Sequence, residues 1–565
     1  MDDLPDALDR LAKRLETLER RVEALEGPSG APIAVAATEP IPLQAAQAGE
    51  RLPSALAGGA FPVVGKAMLG IAGAYVLRAV AESTSLPKPG VAAIAIAYAM
   101  FWLIWATRAP AGAWFASMTY ACTSALILAP MLWELTLRFK VLPAAVTAGV
   151  LGAFVCAASA LAWKRDLASI FWVANVTAAV VALALAIATH EVTPFIAALL
   201  LMVLLSEYAA GRNHELGVRF LVAAAADLGV WALIFIYSSP ESTRADYPSL
   251  RTAALLAPGF ALFLIYGVSV ALKTTVFQRK ITVFETIQTM IAFLLAASSL
   301  LYFEPRSGAT VLGAFCLALS TASYAGVFVF FDRAPERRNY RVFAVWSAAL
   351  FLTGCWLCLP PLWMAMCLGA AAIAATVLGV RLNRLTLEFH GLAYLLAATV
   401  ASGLLNYAFR ALAGTLPGAP TWSVCLISAG AVLCYAAGKP CQGEPWKLQL
   451  LHTVSASVAI GAAAALLVQG LMWLTALSLN PGAHHLAFIR TLTICMAALA
   501  LAFSGAHWRR MELTRVGYAT LALVAAKLVF EDLRHGHLEF IAASIFLFAV
   551  TLIAVPRIAR MGQRI

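Results

Sequence analysis

From Pro62 to Val555, apolar runs long enough to cross a bilayer follow one another with little between them. A helix needs roughly 17 to 25 predominantly apolar residues to span the hydrocarbon core. Lipid offers no partner to an unpaired peptide group, so runs of this kind are confined to helices whose backbone bonds are internal. Across the whole chain 62% of residues are apolar and 12% are charged, whereas soluble domains carry about a quarter charged residues. The sequence therefore predicts an all-α polytopic membrane protein with about eighteen spans. The first lies near 62–81 and the last near 538–555, and 391–410 and 421–437 are among them. Beyond the hairpin rhythm itself, no internal repeat is evident.

The formal charge of +11 would suggest nucleic acid in a soluble chain. Here the cations fall in short connections, and they alternate. With the amino terminus inside, the inner connections hold Lys164 and Arg165, Arg212 and Arg219, Lys273, Arg279 and Lys280, Arg333 to Arg341, Arg381 and Arg384, Lys439 and Lys447, Arg509 to Arg515, and Arg557 to Arg564. The outer turns hold few, among them Lys88, Arg138, Lys140 and Arg534. Cytoplasmic loops retain Lys and Arg, so an even span count with both termini cytoplasmic is expected, in a bacterial inner membrane. The partner implied throughout is the lipid bilayer, with no nucleic acid.

Two segments precede the spans. Leu4, Leu8, Leu11, Leu15, Leu18, Val22 and Leu25 recur in alternating steps of four and three, the apolar seam of a coiled coil. Arg14 and Arg21 then face Glu19 and Glu26 across a parallel pair. Residues 1–26 are expected to be a cytosolic helix that self-associates or recruits a cytosolic partner, the alternative being a single amphipathic surface helix. Residues 27–60, with Pro28, Pro32, Pro40, Pro42 and Pro53 among Ala, Gly and Gln, have nothing to bury and are expected to be a tether. The spans occupy 61–565.

Ionisable groups inside spans are costly and mark either function or helix contacts. Asp227 lies deepest; Glu285 and Gln288 share one face near an inner span end; Lys527 sits close enough to an outer end to snorkel toward Glu531 and Asp532; Asn175 and Asn406 add uncharged polarity. Either they bond between helices and fix packing, or they line an ion or proton pathway. A pathway of that kind calls for a hydrated cavity at Asp227 and a broken helix near Pro258-Gly259.

Five of the nine histidines fall on outer turns: His190, His484, His485, His535 and His537. Imidazoles beside Glu531, Asp532 and Glu539 could serve as metal ligands, although their spacing matches no established site. Cys355-Trp356-Leu357-Cys358 has redox spacing but ends a helix before Pro360-Pro361, where no amino-terminal dipole lowers a thiol pKa. No phosphate-binding loop, zinc-helix or nucleophile-elbow motif is present, and no cofactor is expected.

With these parts in order, the chain resembles the bacterial domain-of-unknown-function family 2339. Glu512-Leu513 opens a span that closes in Lys527-Leu528-Val529-Phe530-Glu531-Asp532-Leu533, similar to the Lys-Leu-x-x-x-Asp-Leu exit of that family. Arg338-Asn339-Tyr340 leading to Leu359-Pro360 is similar too, as is His390-Gly391-Leu392-Ala393-Tyr394-Leu395 followed by Ser402-Gly403-Leu404-Leu405. The first span departs, with Val64-Gly65-Lys66-Ala67 where the family has Trp-Leu-Asn. The resemblance implies an architecture and no reaction. Three functional readings follow: a non-enzymatic membrane protein, a transporter or channel using Asp227 and Glu285, and a membrane enzyme with an outer-face histidine site.

Overall fold

A computed structural model describes residues 61–82, 87–109, 114–165, 167–212, 217–327, 337–438, 446–477, 482–532 and 537–564. The heptad residues Leu8, Leu11, Leu15, Leu18, Val22 and Leu25, and His535, lie outside them. The chain divides into one unit of residues 1–66 and one of 67–565. The described residues of the first are the opening turns of helix α1, Phe61–Glu82.

The second unit continues as α2 (Lys88–Thr107), α3 (Trp114–Trp133), α4 (Ala144–Arg165), α5 (Ala168–Ala188), α6 (Val192–Gly211), α7 (Arg219–Ser238), α8 (Thr252–Thr275), α9 (Val283–Phe303) and α10 (Gly308–Gly326). There follow α11 (Arg337–Cys358), α12 (Pro361–Leu382), α13 (Leu385–Ala401), α14 (Leu404–Ala413), α15 (Trp422–Ala437), α16 (Trp446–Ala476), α17 (Ala483–His507), α18 (Met511–Lys527) and α19 (Leu538–Arg564). Among the described residues 16 helices are long and apolar enough to cross a membrane. The protein is an integral, polytopic, all-α membrane protein.

The predicted count of about eighteen spans is refined at two places. The run at 391–410 is not one straight span: α13 and α14 meet at a bend of 69°. Gly403 makes the bend with φ +75, a left-handed conformation that costs any other L-residue a clash between Cβ and the next carbonyl. The run at 421–437 forms a shorter helix, α15, of 16 residues.

Consecutive antiparallel hairpins supply much of the most extensive packing, α12 with α13, α10 with α11, α8 with α9 and α17 with α18, and α17 packs as extensively on α19, two helices further along. Membrane helices associate through close backbone approach, so small residues line the seams. Gly313 of α10 and Gly354 of α11 face each other's backbone carbonyls, and a Cβ on either would strike Leu317, Leu357 or Cys358. The buried core is accordingly rich in alanine, including Ala99, Ala158, Ala226, Ala372, Ala465 and Ala502. Large apolar side chains such as Phe220, Leu264, Phe409 and Phe546 point outward.

The α12–α13 and α17–α18 hairpins share a construction that the sequence reading missed. Asn383 and Arg509 both turn left-handed, with φ 53 and 54. The next amide, Arg384 or Arg510, donates back to the carbonyl of Gly379 or Gly505 at 2.8 and 2.9 Å. Both second helices have 17 residues, and both carry one close-packed glycine: Gly391 against Ala372 and Thr376, Gly517 against Ala498 and Ala502. Residue for residue these positions correspond, so the same hairpin occurs twice. The side chains between the shared glycines differ, which hides the pairing from a reading of apolar periodicity.

Candidate functional site

The turns joining α6 to α7, α8 to α9 and α17 to α18 lie at one end of the bundle, here the basic end. Four ionisable side chains from four helices meet there. Arg219 at the start of α7 donates through Nε and Nη2 to both carboxylate oxygens of Glu207 on α6, the second at 2.7 Å, and through Nη2 to Glu285 of α9 at 3.0 Å. Lys273 of α8 completes the set, with its Nζ 2.9 Å from Glu285 and 3.3 Å from Glu207. Ser269 also donates to Glu207, and the Arg219 guanidinium lies 4.9 Å over the Phe284 ring. Two acids and two bases thus form a neutral group. Their side chains are only 3%, 5%, 8% and 15% exposed for Glu207, Glu285, Lys273 and Arg219.

Local chemistry positions this group. Thr282 caps α9: its hydroxyl accepts from the Glu285 amide at 3.2 Å, and the Glu285 carboxylate accepts from the Thr282 amide at 2.9 Å. This capping box fixes one Glu285 oxygen on the backbone and leaves the other for Lys273 and Arg219. Arg219 and Lys273 were predicted to be loop cations; they are instead buried partners, because two carboxylates from neighbouring helices await them. Glu207 was missed altogether, although an acid four residues before the end of α6 was there to be read.

One turn deeper, Asp227 of α7 is half-buried, with Gln288 Nε2 of α9 at 2.8 and 2.9 Å from its two oxygens. Glu285 and Gln288 share a helix face as expected but serve different partners. Beside them on α8 the Tyr266 hydroxyl is buried without a hydrogen-bond partner. Pro258 lies inside an unbroken α8, and Gly259 lets that helix approach the backbone of Ala296. The bend in the chain is at Gly403 instead. Asn175 is fully buried, its amide donating to the Phe171 carbonyl at 2.8 Å, whereas Asn406 is exposed on α14.

The opposite end holds a second charged cluster. After Lys527, α18 passes into a single π turn, Leu528–Asp532. In a π turn the repeat widens to i→i+5, which brings Asp532 to the ammonium of Lys527. Lys527 contacts Asp532, stands 3.5 Å from Glu531, and donates to the Ala487 carbonyl at 2.6 Å and the Thr491 hydroxyl at 2.7 Å. Lys527 reaches toward Glu531 and Asp532 while only 9% exposed, because α17 supplies two of its acceptors. Its acidic neighbours are those expected.

Arg490, seven residues into α17, was also missed. Its guanidinium donates to Glu531 at 2.5 Å and to the backbone carbonyls of Ala411 at 2.7 Å, Arg410 at 2.9 Å, and Gly414. It thus caps the carboxyl end of α14, whose last carbonyls have no partner within their own helix. Thr491 joins the two halves by donating to Asp532 at 2.7 Å.

Of the outer-turn histidines, His484, His485 and His537 come together, whereas the His190 ring packs on Tyr247 at 5.0 Å. The His484 ring lies 4.2 Å from His485 and 4.5 Å from His537, with Phe540 against both His484 and His485. The Nδ1 of His485 accepts from the Gly482 amide at 3.2 Å. Among the described residues no group of three or more His, Cys, Asp or Glu is arranged to hold a metal ion. The Cys358 thiol donates to the Thr310 carbonyl at 3.5 Å.

No family model, curated protein or solved structure matches this chain.

Proposed function

We infer that the protein is a non-enzymatic, multi-spanning scaffold of a bacterial inner membrane, with both termini cytoplasmic and the architecture of domain-of-unknown-function family 2339. Its heptads at residues 1–26 self-associate or recruit a cytosolic partner. The observation that carries this reading is the pairing of the intramembrane charges. Glu207, Arg219, Lys273 and Glu285 neutralise one another, Asp227 is taken by Gln288, and Lys527 and Arg490 are taken by Glu531, Asp532 and backbone carbonyls. Groups so occupied act as fixed contacts between helices. In transporters, by contrast, the carbonyls of a broken helix coordinate the coupling ion; here the carbonyls that follow the bend are occupied by Arg490.

Crosslinking in membranes tests the scaffold reading. Full-length chain should give an oligomer band, or a band with a cytosolic protein, and the chain lacking residues 1–26 should not. An unchanged band pattern overturns the role of the heptads. Substrate-independent proton or cation flux in liposomes that Asp227→Asn abolishes would overturn the scaffold in favour of a transporter.

A further inference from the structure

Between α16 and α17 runs a groove of about 430 Å³. Ala459 and Ala463 form one wall and Ala497 and Ala500 the other, and the groove ends at Tyr435 and Trp508. The alanines make the groove: at the same crossing, larger side chains would fill the volume. It opens sideways, since Leu467 and Met496 on its margins are 50% and 52% exposed. Its lining covers about 16 Å of α16 and about 22 Å of α17 at 1.5 Å per residue. One leaflet of a bilayer has a hydrocarbon depth of about 15 Å. The groove is therefore as long as a leaflet is deep, apolar along its length, and closed by two aromatic side chains of the kind that sit at the membrane interface.

The end of the groove is charged. Arg509 follows Trp508 directly; Arg515, two residues past the lining residue Leu513, is held out by a bond to Gln449 at 2.9 Å; and the Arg510 guanidinium lies 5.0 Å over the Tyr435 ring. Tyr435, which closes the groove, thus lies beneath one guanidinium, that of Arg510, whose Nη2 also donates to the Gly438 carbonyl at 3.2 Å, and Trp508 is next in the chain to a second arginine. Among the described residues, the neighbouring carboxylate Glu512 is 1% exposed and receives the Tyr435 hydroxyl at 3.4 Å, so it does not face the rim. Basic pockets between membrane helices recognise anionic headgroups.

We propose that this groove is a binding site for one anionic glycerophospholipid, whose acyl chain lies between α16 and α17 and whose phosphate is held by Arg509, Arg510 and Arg515. The hydrocarbon phase around the groove admits no water to fill it, and an empty apolar void forfeits the dispersion contacts of its lining. A lipid chain restores those contacts, and the arginines select the headgroup.

The test uses full-length protein in phosphatidylcholine bilayers, with phosphatidylglycerol brominated in mid-chain as the probe. Bromine quenches tryptophan at contact, and the part of the fluorescence lost in Trp508→Phe isolates Trp508. Brominated phosphatidylglycerol should quench that component at a mole fraction about 30- to 100-fold lower than brominated phosphatidylcholine does, the selectivity expected of two or three basic residues at the surface. Ala463→Phe or Ala497→Phe should abolish the preferential quenching by filling the groove. Arg509→Gln with Arg515→Gln should make the two lipids equal. Equal quenching by both lipids in the native chain overturns the headgroup assignment, and this measurement needs no core variant to fold. Undiminished preference in both filled variants overturns the groove as the site, leaving a boundary lipid only.

Discussion

The two charged clusters have the same composition, two acids and two bases, and are built in opposite ways. At the basic end each residue of the set comes from a different helix, and its members are held by one another's side chains, with one Glu285 oxygen alone taken by a backbone amide. At the other end three members lie within six residues around one π turn, and the fourth, Arg490, spends most of its donors on backbone carbonyls. The first cluster ties helices to one another. The second finishes helices: it ends α18, caps α14 and fastens both to α17. The difference matters energetically, because a buried side-chain ion that loses its partner keeps an uncompensated charge, whereas a carbonyl that loses its donor is a neutral group with two lone pairs.

The largest effect is therefore expected at the basic end. Lys273→Met leaves Glu207 and Glu285 sharing Arg219 alone in a nearly dry site, a change that should cost about 3 to 5 kcal/mol. Thermal unfolding in detergent should show it as a large drop in midpoint, and adding Glu285→Gln should recover part of the loss by removing the surplus charge. If the double variant is no better than the single, the four residues are not the neutral set described. At the opposite end Arg490→Met should cost less, about 1.5 to 3 kcal/mol, the range for hydrogen bonds to a charged group. Arg490→Lys should recover little, since one ammonium does not reproduce a planar fork reaching three carbonyls and a carboxylate. Equal losses at Lys273 and Arg490 would erase the distinction.

The same contrast explains what was legible in the sequence. Lys527, Glu531 and Asp532 sit within one turn, so their partnership could be read from spacing. The π turn that selects Asp532 and holds Lys527 inward could not, because it depends on α17 supplying the Ala487 carbonyl and Thr491. Glu207 and Glu285 are partners only through Arg219 and Lys273, and nothing in the sequence between them says that α6 packs on α8 and α7 on α9. The spans themselves were legible because insertion in lipid is set by length and apolarity, which are local. The bend at Gly403 was not, since a run of apolar residues around one glycine reads as a continuous span. The residues that follow it carry the signal in retrospect: Leu404, Tyr407 and Ala411 are buried while Leu405 and Phe409 are exposed, the single-sided pattern of a helix lying against a surface.

That bend allows the smallest and sharpest test. A Cβ added at Gly403 meets no atom within 4 Å, so Gly403→Ala is charged only with the left-handed backbone, about 1 to 2 kcal/mol. If the bend exists to present the carboxyl end of α14 to Arg490, the two sites are coupled through one helix. Straightening pressure at residue 403 should pull the carbonyls of Arg410, Ala411 and Gly414 away from the guanidinium, so that Gly403→Ala costs less when Arg490 has already been replaced by Met. A double-mutant cycle on unfolding midpoints should then give a coupling within the range of about 0.5 to 3 kcal/mol seen for residues sharing a network. The control lies in the other cluster: Gly403→Ala combined with Lys273→Met should be additive to within about 0.5 kcal/mol, as expected for sites with no shared partner. Additivity in both cycles would mean that the bend and the arginine are independent features, and that the second cluster ends α18 without holding α14.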